Sequence, residues 1–192
     1  MEKGAIQTAR DVIQQQILAL QKLEARLGQE FSQTVDILME CKGKIILCGV
    51  GKSGIIGRKI AATLSSTGSP SVFLNASEAL HGDLGIMAEG DVLLMLSKSG
   101  TTTELLRILP KARSLGIPCI GLFGNTETPL SSRMDVLLDV SVEKEGSPFG
   151  LAPMASTTVA LVLGDALASA LMTLKGKTES DFAANHPAGQ LG

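Results

Sequence analysis

Tryptophan and tyrosine are missing from this 192-residue chain, and five phenylalanines supply its whole aromatic content of 3%. An aromatic platform on which single-stranded bases could stack is thereby excluded. Charge is scarce too: Asp, Glu, Lys and Arg make up 19% of the residues, the net charge is −2, and no basic block occurs. Nucleic acid needs a positive footprint, so DNA and RNA are not expected as partners. So small a charged share also implies that more of the surface than usual is buried between subunits. Cys41, Cys48 and Cys119 are odd in number and widely spaced, no CxxC occurs, and His81 and His186 are the only histidines. That pattern predicts buried thiols in a reducing cytoplasm rather than a structural zinc site. The N-terminus lacks a basic-then-apolar leader, and no apolar run approaches about 18 residues. A soluble, cytoplasmic protein without a membrane partner is expected.

What is present is apolar and alternating. Hydrophobic residues make up 44% of the chain and mean hydropathy is +0.27, which excludes disorder. The length suits one compact domain over residues 1–192. Residues 5–40 carry apolar positions at helical spacing, from Ile6, Ile13 and Ile17 to Val35 and Leu38, with Gly28 separating two helices. Five short runs then read as strands: KIILCGV (44–50), PSVFLN (70–75), DVLLMLS (91–97), PCIGLFG (118–124) and VLLDVSV (136–142). Each is almost continuously apolar, as strands covered on both faces are. The intervals 51–69, 76–90 and 98–117 are long enough for helical crossovers, and 125–135 has room for a very short helix. The alternation predicts an α/β fold, a doubly wound parallel sheet flanked by helices. A long helix rich in small residues, over 152–174, is apolar on most sides and must be buried in the core or between subunits.

In such sheets ligands bind beyond the carboxyl ends of the strands, where strand order reverses. Three loops fall there. GVGKSG (49–54) satisfies GxGxxG after a strand, but the next strand ends at Asn75 where a dinucleotide site wants an acid. A P-loop is excluded, because Ile46 stands where its first glycine is needed. What remains is a glycine turn presenting Lys52 and Ser53 at a helix N-terminus, either solvated or functional. LSKSGTTTE (96–104) offers hydroxyls from Ser97, Ser99 and Thr102, and Gly100 lets backbone N–H groups approach an anion. With Lys98 as its lone cation, this loop suits a monophosphate. Glu104 follows at the start of the next helix, as a capping carboxylate or as a general base. SEALHGDLG (77–85) places His81 between apolar residues and glycine, and NHPAGQLG (185–192) places His186 in a polar tail.

With GVGKSGIIGRKIAATLSSTG, EALHGDLG, LSKSGTTTE, GSPFGLAPMASTT and DFAANHPAGQLG in this order, the chain resembles the sugar isomerase (SIS) domain family. Within it the resemblance is to arabinose 5-phosphate isomerases, in a form without the two tandem cystathionine-β-synthase-like modules. It implies a five-stranded, flavodoxin-like parallel sheet, a homotetramer with active sites shared between subunits, and interconversion of D-ribulose 5-phosphate and D-arabinose 5-phosphate that feeds lipopolysaccharide synthesis. Carried over by position, Ser53, Ser97, Ser99 and Thr102 match the family's phosphate-loop positions. Lys52, His81, Glu104, Glu145 and His186 match its functional polar residues. Glu104 is then the base, and His186 or His81 serves the oxygens or ring opening. Lys52 polarises the carbonyl side, and Glu145 holds Lys52 or a sugar hydroxyl. The scheme demands no metal and no cofactor. The rival readings are a non-enzymatic sugar-phosphate sensor, which would need the serine loop but not Glu104 with His186, and an isomerase of six- or seven-carbon sugar phosphates.

Overall fold

All five apolar runs form strands in the computed structural model, which describes residues 2–187. β1 (Ile45–Gly49), β3 (Val92–Ser97) and β4 (Cys119–Phe123) are buried along their whole length, because they are the inner strands of the sheet. β2 (Ser71–Asn75) and β5 (Val136–Asp139) are its edges and are only partly covered, which corrects the expectation that every run is sealed on both faces. The strand order is β2-β1-β3-β4-β5, and every pairing is parallel. The chain therefore winds one way from β1 to β2, crosses back to β3, and continues the other way.

Helices cover both faces. On one lie α1 (Glu2–Ala25), α2 (Gln29–Glu40), α3 (Gly51–Ser66) and α6 (Ala155–Leu174), whose apolar side chains meet those of Leu47, Leu94 and Leu122. The other face is covered by α4 (Ala76–Ala79) and α5 (Thr103–Ser114), which pack on Ile46, Met95 and Phe123. Gly28 separates α1 from α2 as the spacing predicts. The interval 76–90 is not the helical crossover expected. It holds only the four residues of α4 and a 3-10 turn at Asp83–Ile86, because Gly82 between them takes φ 126°, outside any helix. The interval 125–135 holds one 3-10 turn, Ser131–Arg133. A six-residue helix absent from the periodicity, α7 (Glu179–Ala184), is set by a capping box between Thr178 and Asp181.

α6 has the length and apolarity of a membrane span. Its inner side is nonetheless packed: Val159, Leu163, Leu167 and Leu171, four residues apart, are all buried. Gly164 lies against the Ile60 side chain of α3, so close that a Cβ there would overlap it. Both Gly164 and Ile60 are buried, and the helices can approach only because one of the two has no side chain. Outer positions such as Val162 and Leu174 stay exposed, as do Ile6, Ile13, Ile17 and Leu18 of α1. We expect Gly164→Ala to lower stability by about 1–3 kcal/mol through overpacking. Urea unfolding measures it, and Ile60→Val should recover part of the loss in the double variant; equal, additive losses would mean that the α3–α6 crossing can relax.

Candidate active site

The reversal of strand order between β1 and β3 opens a crevice at the carboxyl edge of the sheet, and a cavity of about 210 Å³ lies there. Its wall carries Lys52 and Ser53 from the start of α3, Ser97 and Lys98 from the end of β3, and Ser156 and Thr157 from the start of α6. Leu96, Leu122 and Val140 floor it. Among the described residues, two lysines and no carboxylate line this cavity.

Local geometry follows from the residue types. Gly51 opens α3 with φ +55°, a left-handed conformation that turns the chain sharply off β1 and brings Lys52 and Ser53 to the rim. The loop after β3 is internally braced. Ser97 is buried, its Oγ accepts the Gly100 N–H at 3.0 Å, and it shares a hydrogen bond with Thr102 Oγ1 at 2.8 Å. Ser99 Oγ accepts from the Thr101 N–H and hydroxyl. Gly100 also serves a packing role. Its N–H is taken by Ser97, its φ is +66°, and a Cβ would stand 2.6 Å from the Asn125 carbonyl oxygen. It is there so that the loop can press against residues 125–128, where Thr128 Oγ1 donates to its carbonyl at 2.7 Å.

Three helix amino ends meet around the crevice. Neither α3 nor α5 has a side-chain cap, so their first N–H groups are open to an anion. The amino end of α6 is already filled, from within the chain, by Glu145. Its Oε2 accepts the N–H groups of Met154 (2.8 Å) and Ser156 (3.2 Å), and its Oε1 accepts the Ser156 hydroxyl (2.5 Å) and the Lys98 ammonium (2.7 Å). Burial by itself would raise this carboxyl, but Lys98, Ser156 and Met154 outweigh it and hold it down at about 2. Glu145 therefore pairs with Lys98, where the expected partner was Lys52 or a sugar hydroxyl. Ser156 and Thr157 were not among the site residues expected from sequence, and Lys98 was read only as the cation of the loop after β3. A carboxylate ten residues before a helix gives no periodic signal that it will cap it.

The remaining residues divide by location. Glu104 sits half-buried in the first turn of α5 and makes no hydrogen bond among the described residues, so it is not a cap. His81 is exposed in the turn after α4, and α4 contacts α5. His186 is elsewhere. Its ring stacks on Phe182 with centroids 4.1 Å apart, and Nδ1 donates to the Phe182 carbonyl at 2.8 Å. Asn185 donates to the carbonyl of Ser66, at the carboxyl end of α3. Fourteen positions of α3 separate Ser66 from Lys52, about 21 Å along the helix at 1.5 Å per residue. Within one chain, His186 does not reach the crevice. Positions 188–192 of the tail motif lie outside the described residues.

The chain belongs to the SIS domain family: residues 37–170 match the SIS domain. It is 50% identical over 174 residues to the arabinose 5-phosphate isomerase KdsD of Pseudomonas aeruginosa, a match that covers 91% of this chain and 53% of that protein. It is 43% identical over 192 residues to the arabinose 5-phosphate isomerase GutQ of Escherichia coli K12, covering 100% of this chain and 60% of that protein. The chain thus spans a little over half the length of these curated relatives. The structure of the Escherichia coli CFT073 protein c3406 in complex with A5P superposes with a TM-score of 0.93 at 39% identity, over 97% of this chain and 100% of that one.

The depressed Glu145 carboxyl links the site to acid stability. A group whose pKa is lower folded than unfolded stabilises the fold above its ordinary value and loses that contribution as pH falls. The stability due to ionised Glu145 should be present above about pH 4.5 and disappear toward pH 2. Urea midpoints measured across this window should fall more steeply for the natural protein than for Glu145→Gln; parallel curves would show that Glu145 is not held down by its partners.

Proposed function

We propose that the protein is an aldose–ketose isomerase that interconverts D-ribulose 5-phosphate and D-arabinose 5-phosphate through an enediol. The observation that carries this reading is the open amino end of α5, where a braced serine–threonine loop stands beside an unpartnered Glu104. Similarity to isomerases of this sugar phosphate names the substrate. The phosphate takes the hydroxyls and N–H groups of the loop at 97–102, with Ser53 joining them from α3. Anchored there, the open-chain sugar presents C1 and C2 to the edge where Glu104 and His81 lie.

Starting from the aldose, Glu104 removes the C2 proton while the C1 carbonyl oxygen gains one, giving the enediol. Loss of the O2 proton and return of the carbon-bound proton to C1 then give the ketose. Lys52 stabilises negative charge on the oxygens. A histidine moves protons between O1 and O2, and this role falls to His186 of a neighbouring subunit. The exposed apolar positions of α1 and α6 support the tetramer this requires. The free thiols suit a cytoplasmic setting.

Incubation with D-ribulose 5-phosphate should yield D-arabinose 5-phosphate, resolved from other pentose phosphates. In Glu104→Gln turnover should fall by about 10²–10⁴ while the urea midpoint stays unchanged. Binding without turnover in the natural protein would leave a sensor instead. Subunit sharing is tested by mixing inactive Glu104→Gln and His186→Ala proteins after dissociation and reassembly. Activity should return in mixed oligomers, because some sites then hold both intact residues; no recovery in demonstrably mixed oligomers would place both residues in one chain.

A further inference from the structure

Lys98 is the unexplained group at this site. Its ammonium is spent on Glu145, a carboxylate with 4% of its side chain exposed that already has three other donors and the amino end of α6. Three donors therefore remain on Glu145 when Lys98 leaves it. Lys98 in turn is 46% exposed, lines the cavity beside Lys52 and Ser97, and sits inside the serine–threonine loop itself. Its four-carbon stem rotates freely, and an ammonium is a point charge that can change partners without matching a planar geometry.

We propose that Lys98 is a transferable phosphate-binding cation: resting on Glu145, it moves to the substrate's phosphate when the loop at 97–102 is occupied. A phosphate dianion outcompetes a singly charged carboxylate whose oxygens three donors have already satisfied. The exchange leaves Glu145 capped and buried, so the wall of the cavity stays in place. It also brings Lys98 onto the anion, in a cavity whose lining carries no carboxylate among the described residues. The alternative is a fixed strap, in which Lys98 only ties the loop after β3 to the segment before α6.

The inference rests on the reading of residues 97–102 as a sugar-phosphate loop, and the test separates the two. Binding of inorganic phosphate and of arabinose 5-phosphate is measured by calorimetry for the natural protein, Lys98→Gln, Lys98→Arg and Glu145→Gln, alongside isomerase turnover. Lys98→Gln can still donate a hydrogen bond to Glu145 but lacks the charge. It should bind both anions about tenfold more weakly, with KM rising more than kcat falls, and Lys98→Arg should recover most of the loss. Glu145→Gln frees Lys98 and should bind phosphate at least as tightly as the natural protein. Unchanged affinity in Lys98→Gln overturns the proposal, as does a parallel loss in Lys98→Gln and Glu145→Gln, which is the signature of a strap. Should Glu145→Gln not fold, Lys98→Gln against Lys98→Arg decides alone. A natural protein that shows the Lys98 pattern with inorganic phosphate but isomerises no pentose phosphate would refute the substrate and keep Lys98; one that binds neither anion would refute both.

Discussion

The reversal of strand order between β1 and β3 is the constraint from which the rest of the molecule follows. Two neighbouring parallel strands send their crossover helices to opposite faces, α3 to one and α5 to the other. Their amino ends are left facing each other across an unfilled crevice. Backbone N–H groups at both ends have no acceptor within their helices. The crevice is thus electropositive before any side chain is added, and Lys52 and Lys98 add to a field the backbone already makes.

Glu145 shows what that field does to an anion the chain supplies for itself. Placed at the amino end of α6, the carboxylate is ionised and almost fully buried, which is tolerable only because every oxygen is bonded. α6 can present this end to the crevice because its body is clamped on α3 through Gly164 and Ile60. Packing of α6 on α3, with Gly164 against Ile60 at its closest point, therefore helps to place Ser156 relative to Lys52. The chemistry at the edge is positioned from the core.

Most of the architecture was legible in the residue order. Continuous apolar runs of strand length, separated by intervals long enough to cross over, admit few arrangements other than a parallel α/β sheet. The misses have local causes. A short helix held by a capping box, α7, carries too few residues to show a period. The interval 76–90 is long enough for a helix, yet Gly82 breaks it into a turn and a 3-10 segment. Gly100 was readable as a necessary glycine, but its reason, a close approach to Asn125 and Thr128, is a contact 25 or more residues away in the chain.

Residue order by itself determined the strands, the glycine turns and the hydroxyl-rich loop, because each depends on conformational preferences within a few neighbouring residues. It also pointed to Lys52, Ser97, Thr102 and Glu104 through their position just past strand ends. Only the tertiary structure decided which of those groups share a cavity, since that depends on how separate segments pack. Packing pairs Glu145 with Lys98 rather than Lys52, sets Glu104 free of any capping role, and holds His186 at the far end of α3. Each of these joins or separates residues that are distant along the chain, and no periodicity records a distance across a fold.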